Sequence, residues 1–193
     1  MKPLVLMSGG LDSATVLWSV KSREPLALSI DYGQPHRNEL MAAQALCREA
    51  GVPNLIVDLS DVYGSCRSGL FGGDDTVAAD TVVPGRNLLF ISVAAAVAEP
   101  NGFDMVLIGA NRDDLEDYPD CRRGFLLAAE SAVRAGGCSV GIMAPLLDMR
   151  KPEVVAHAES LGVPIGMTMS CYRGTNCGEC AACKLREASG AAR

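Results

Sequence analysis

Short apolar runs alternate with longer stretches of helical spacing along the whole chain. Residues 3–7, 26–30, 54–59, 105–108 and 140–143 are apolar runs of strand length. Between them, 12–21, 37–49, 87–98, 124–135 and 152–160 carry apolar positions at helical spacing, the last opening with proline in its first turn. Strands that are continuously apolar, rather than alternating, belong to a sheet covered on both faces, and helices between them make that sheet parallel. The pattern predicts an α/β fold: a doubly wound, parallel, five-stranded sheet.

Such sheets bind their ligands beyond the carboxyl ends of the strands. That singles out residues 7–13, 31–36, 59–86, 109–122 and 145–151, where the polar and glycine-bearing segments do fall. The stretch 60–86, with Gly72-Gly73-Asp74-Asp75, is long for a connection in a compact domain and reads as a lid, a binding loop or a poorly ordered segment.

A chain of 193 residues has room for one domain with a small appendage. With 49% apolar and 21% charged residues it is globular rather than disordered. Seventeen basic against 23 acidic residues leave a net charge of −6, the wrong sign for a phosphate backbone, so no stable nucleic-acid partner is expected. The longest nearly apolar stretch, 88–98, falls far short of the roughly 20 residues that span a bilayer. Residues 1–7 are too brief an apolar run for a signal peptide, so a cytoplasmic location is expected.

Chemistry concentrates in a few places. Ser8-Gly9-Gly10-Leu11-Asp12-Ser13 sits where the first strand gives way to the first helix. Two glycines let several N–H groups turn into one concavity, the serine hydroxyls add donors, and the helix amino end adds partial positive charge. The result is a phosphate cradle. It is neither a Walker loop, since no lysine follows at the required spacing, nor the dinucleotide fingerprint. Near the other end, Cys171, Cys177, Cys180 and Cys183 follow the spacing C-x5-C-x2-C-x2-C, suited to a tetrahedral Zn²⁺. With four sulfur ligands no position stays open for water, so the ion is structural. This crowding also argues for a reducing compartment rather than disulfides. Trp18 reads as core, His157 as a helix-surface or packing residue, and Cys47, Cys66 and Cys138 as packing or incidental thiols. The acidic run from Asp113 to Asp117 is, by itself, as readily a solvated loop as a site.

The loop of residues 8–13 resembles the pyrophosphate loop of the ATP pyrophosphatases, which adenylate a substrate and release pyrophosphate. Within that group the chain is most similar to the 7-cyano-7-deazaguanine synthase family of the queuosine pathway. Further segments carry that likeness: Asp31-Tyr32-Gly33-Gln34 with His36-Arg37, Val83-Pro84-Gly85-Arg86-Asn87, Tyr118-Pro119-Asp120-Cys121-Arg122, and Ser170-Cys171-Tyr172 leading to the other cysteines. The gap after Cys171, around Gly174, is shorter than is usual in the family, a change that metal binding should survive.

The resemblance implies an adenine nucleotide alpha hydrolase-like body over 1–165 and a zinc-binding segment packed on it over 166–193. It implies ATP held by Ser8, Gly9, Gly10, Leu11, Asp12, Ser13, Ala14, Thr15, Val16, Leu17, Asp31 and Arg86, with Arg86 either capping a helix or reaching phosphate. Catalytic roles fall to Ser13, Lys151 and Asp12: Lys151 supplies the cation that the loop lacks, and Asp12 is a candidate contact for Mg²⁺. Tyr118, Asp120 and Arg122 are the candidate substrate contacts, Arg122 for a carboxylate and Asp120 for a guanine-like edge. The implied substrates are 7-carboxy-7-deazaguanine, ammonia and ATP, and the implied assembly is a homodimer. The same residues would serve a ligase that stops at the amide or joins the acid to another amine. A sulfur transferase acting on tRNA should show an added RNA-binding domain or a basic face, which the charge opposes. A non-catalytic nucleotide-binding protein would bind ATP without turnover.

Overall fold

The computed structural model describes residues 1–34, 37–63, 83–171, 177–188 and 190. His36, Cys66, the Gly72-Gly73-Asp74-Asp75 run, Tyr172 and Gly174 lie outside the described residues. Five strands, β1 (Pro3–Leu6), β2 (Leu26–Asp31), β3 (Asn54–Asp58), β4 (Met105–Leu107) and β5 (Gly141–Met143), form one sheet in the order β3-β2-β1-β4-β5. All four pairings are parallel; Leu4 of β1 stands opposite Leu26 on one side and Val106 on the other. The helices are α1 (Leu11–Val20), α2 (Asn38–Ala50), α3 (Ser60–Tyr63), α4 (Arg86–Ala98), α5 (Asp114–Asp117), α6 (Arg123–Ala135), α7 (Lys151–Ser160) and α8 (Ala181–Ala188).

Side-chain alternation along β1 builds two cores. Val5 and Met7 point into one, with Leu17, Trp18, Leu46 and Val154 of α1, α2 and α7. Leu4 and Leu6 point into the other, with Ile91, Leu126 and Ile142. In the alanine-rich α4 the buried residues Ile91, Ala94, Ala95 and Ala98 recur at helical spacing, so small side chains line one stripe against the sheet. The sheet is thus doubly wound, and the predicted elements are found with ends shifted by about a residue.

Strand β3 departs from the expectation of cover on both faces. It is an edge strand, with Leu55 and Ile56 partly open at 40% and 38% exposure. Its apolar run reflects pairing with β2 more than burial. Among the described residues no helix is long and apolar enough to cross a membrane.

The strand order reverses at β1, whose neighbours are β2 on one side and β4 on the other. Connections leave this point in opposite directions and open a crevice beyond the carboxyl ends of β1 and β4.

Candidate active site and thiolate cluster

That crevice is a cavity of about 390 Å³, inside the range of roughly 300–1,000 Å³ found for small-molecule sites. Its floor is the turn from β1 into α1, with Ser8, Gly10, Leu11, Asp12 and Ser13 all lining it. Gly9 makes the turn possible: its φ is +89°, and a Cβ there would lie 2.3 Å from the Glu39 carbonyl oxygen. Gly10 precedes α1 without any side-chain cap, leaving the helix amino end to a ligand. The Ser8 and Ser13 hydroxyl oxygens stand 3.0 Å apart, and Ser13 Oγ donates to the Gly10 carbonyl at 3.1 Å. Across the crevice Gly109 approaches so closely that a Cβ would meet the Ser13 nitrogen at 2.8 Å.

Lys151 reaches the loop from the start of α7. Its Nζ donates to both carboxylate oxygens of Asp12, at 2.8 and 2.7 Å, and the residue is only 9% exposed. A cation and an anion at the mouth of a phosphate cradle form a pair that a polyanion can reopen, since a phosphate competes directly for the ammonium. The fully buried Asn111 donates from Nδ2 to Asp12 Oδ2 at 3.4 Å, holding the carboxylate from the β4 side.

A second wall carries aromatic and charged groups. The Tyr32 and Phe90 rings lie 5.3 Å apart, and the Arg86 guanidinium sits 5.8 Å above Tyr32. The Nε of Arg86 is buried with no hydrogen-bond partner among the described residues. Burial pushes the Glu39 carboxyl up to about 7 against the lowering pull of Arg86, and pushes Asp114 up to about 6. Both line the cavity. Burial also pushes the Cys121 thiol up to about 12, which favours its protonated form at neutral pH.

The C-terminal cysteines converge. The sulfur atoms of Cys171, Cys177, Cys180 and Cys183 all lie within 4.8 Å of one another. The backbone N–H groups of Cys177 and Cys180 donate to the sulfurs of Cys171 and Cys177, each at 3.4 Å, so backbone donors already orient two of the four sulfurs. This all-sulfur donor set fits a metal ion. It is tied to the body: Met169 N–H donates to the Gly9 carbonyl at 2.9 Å, and Arg186 donates to Thr168 and Ile165 carbonyls at 2.9 and 2.8 Å. Met169, Ser170, Ala182 and Arg186 complete the cavity wall.

The structure brings some sequence-selected residues together and not others. Ser8, Gly10, Leu11, Asp12, Ser13, Arg86, Tyr118 and Lys151 line the same cavity. Ala14, Val16 and Leu17 lie behind the loop in the core, and the Thr15 hydroxyl bonds the Leu11 carbonyl. Asp31 turns into its own loop, accepting from Gly33 N–H at 3.0 Å and pairing with Arg37 at 3.4 Å. Arg122 donates back to the Leu115 and Glu116 carbonyls. Asp120 lies near Arg86, raising its pKa alongside Tyr32 while burial opposes them. Residues missed by the sequence reading are Glu39, Phe90 and Asn111. Asn111 follows β4, in the segment 109–122 that the strand pattern selects; Glu39 sits in a helix with no local signal.

A doubly wound parallel sheet with an uncapped phosphate loop at its switch point defines a nucleotide-binding fold of the pyrophosphate-loop class. The solved NMN synthetase from Francisella tularensis shares this fold, with a TM-score of 0.62 at 15% identity, covering 99% of this chain and 73% of that one. The NH3-dependent NAD synthetase from Campylobacter jejuni superposes with a TM-score of 0.59 at 18% identity, covering 86% and 66%. The chain belongs to the family described as queuosine biosynthesis protein QueC, whose family model matches residues 2–192. Curated relatives named 7-cyano-7-deazaguanine synthase include one from Leptospira biflexa, 37% identical over 95% of this chain and 87% of its own length. Another, from Leptospira interrogans, is 40% identical over 96% and 85%.

Proposed function

We propose that this chain converts 7-carboxy-7-deazaguanine and ammonia to 7-cyano-7-deazaguanine at the expense of ATP. The observation that carries the reading is the phosphate loop of residues 8–13 facing the Lys151 ammonium across one crevice. A carboxylate resists ammonia because its leaving group would be oxide. Attack of a carboxylate oxygen on the α-phosphorus of ATP expels pyrophosphate and leaves an acyl adenylate. The Ser8, Gly9, Gly10 and Ser13 groups, with the α1 amino end and Lys151, hold the departing diphosphate. Ammonia then adds at the acyl carbon, loses a proton, and AMP leaves with the former carboxylate oxygen. In a second round the amide oxygen attacks the α-phosphorus of another ATP and expels pyrophosphate, and loss of AMP with both amide protons leaves the nitrile. Positioning, rather than covalent catalysis, supplies most of the acceleration.

Arg86, Tyr32 and Tyr118 are the groups we assign to the planar acid and the adenylate, with Asp120 supporting Arg86 and Arg122 bracing the segment that carries Tyr118. Asp31 and the buried residues Ala14 to Leu17 shape the nucleotide site from behind. Mg²⁺ on the nucleotide phosphates would find a hard oxygen ligand in Asp12 and would offset phosphate charge.

For the thiolate cluster we propose Zn²⁺, which takes tetrahedral sulfur ligands at about 2.3 Å and would fix the segment 166–193 against the body over 1–165. Small-molecule substrates only, a homodimer and a cytoplasmic location complete the reading. Incubating the protein with ATP, ammonium and 7-carboxy-7-deazaguanine and weighing the product tests it. The nitrile is expected. An amide, heavier by one water, would assign the chain to a ligase that stops half-way, and no AMP at all would overturn the reading.

A further inference from the structure

The acidic run after β4, which in sequence reads as readily as a solvated loop as a site, makes a set of contacts that adenylation chemistry alone does not explain. Helix α7 begins at Lys151 with Arg150 at its N-cap. An arginine has no acceptor to offer the free N–H groups of a helix start. The acceptor comes instead from the β4–α5 connection: Asp113 Oδ2 accepts the Lys151 backbone N–H at 2.7 Å, and Asp113 Oδ1 pairs with Arg150 at 3.3 Å. The carboxylate also lies where the helix dipole favours negative charge. Glu153 takes the Arg150 N–H at 2.7 Å, and Pro152 has none to satisfy.

The same connection holds the other half of the ion pair. Asn111 Oδ1 accepts from Asp113 N–H at 2.8 Å, its own N–H donates to Asp114 Oδ2 at 3.0 Å, and its Nδ2 reaches Asp12. Arg112 N–H is fixed to the Met149 carbonyl at 2.9 Å. One short loop therefore touches Lys151 through its backbone and Asp12 through its carboxylate, on two helices that are remote in sequence.

We propose that Asp113 is a positioning residue of the adenylation site: by capping α7 from outside, together with Asn111 on Asp12, it sets where the Lys151 ammonium stands relative to the phosphate loop. The inference rests on the reading of that loop and Lys151 as the nucleotide site. Asp113 lines the same cavity, but both its carboxylate oxygens are turned to the start of α7, at Arg150 and at the Lys151 N–H, so it acts through Lys151.

A double-mutant cycle tests this, with Mg·ATP titrated calorimetrically into each variant and AMP formation followed in parallel. Asp113→Ala is expected to weaken ATP binding about tenfold while leaving KM for the deazaguanine acid within about twofold. The same substitution placed on Lys151→Ala should change ATP affinity less than about twofold, because the group it positions is gone. Asp113→Asn keeps an acceptor for the Lys151 N–H and should recover affinity to within about threefold of the parent. Asp113→Glu keeps the charge but shifts the acceptor by a methylene, and should bind ATP more weakly than Asp113→Asn; this arm decides the question if Asp113→Ala does not fold. Arg150→Ala removes only the surface pair and should stay within about twofold of the parent. Equal losses in both backgrounds, unchanged ATP affinity in Asp113→Ala, or full rescue by Glu but not Asn would each overturn the proposal. Should Lys151→Ala itself leave ATP affinity and AMP formation intact, the reading of the site fails with it; if Lys151→Ala alone is damaging, only the role of Asp113 falls.

Discussion

Lys151 stands at the meeting point of three demands: it is nearly buried, it is charged, and its partner is a single carboxylate 2.7 Å away. Its Nζ donates to both Asp12 oxygens, an ion pair that an arriving polyphosphate can reopen. Lys151→Gln is expected to lower kcat/KM for AMP formation by about 10²–10³-fold, the range seen when one preorganised donor to a developing charge is removed. Steady-state kinetics with AMP quantified would check it. Asp114 offers a test by pH. Burial raises its carboxyl to about 6, so the folded protein holds this proton more tightly than the unfolded chain does. Its contribution to stability is fully present below the ordinary carboxylate range and is lost as pH climbs through about 6. Asp114→Asn abolishes that loss and should raise the melting temperature relative to the parent at pH 8, with the advantage vanishing near pH 4. Thermal scans at the two pH values would show it.

Among the elements, the β1–α1 turn is the most constrained, and its geometry explains why glycine was the readable signal. At Gly9 a side chain would have both a left-handed backbone and the Glu39 carbonyl against it. Gly9→Ala should cost roughly 3 kcal/mol or more of stability, measured by urea unfolding, and abolish ATP binding. Gly109→Ala presses on the Ser13 nitrogen instead, and should weaken ATP with less effect on folding. The helices and strands were legible because burial on both faces of β1, β2 and β4 leaves nearly continuous apolar runs, broken in β2 by Ser29, whose hydroxyl donates to the Met7 carbonyl, and by the closing Asp31. The short helices α5 and α8 were not: Asp114–Asp117 is all acid apart from one leucine, and Ala181–Ala188 has its first three residues inside a cysteine motif. What folds α5 is the Asn111 and Asp113 network, a tertiary cause invisible to periodicity. Arg122 shows the same limit in reverse, since its type suggested a carboxylate partner while its position gives it two backbone carbonyls to hold.

For the whole molecule, the sheet order places the site and the thiolate cluster closes it. The phosphate loop, Lys151 and the cysteines could each be picked from the chain, but that the tail forms a wall of the cavity above that loop follows only from the Met169 bond to Gly9 and the placement of Ser170 and Arg186. Stripping the metal with a chelator should therefore lower the melting temperature by about 5 °C or more and suppress AMP formation, with Zn²⁺ restoring both. The most direct test of adenylation follows the oxygen atoms. Supplied with 7-carboxy-7-deazaguanine carrying ¹⁸O at both carboxylate positions, the enzyme should release two AMP per nitrile, each with one heavy oxygen on its phosphate. Unlabelled AMP, or label recovered in inorganic phosphate with ADP as the nucleotide product, would contradict an acyl adenylate at this loop.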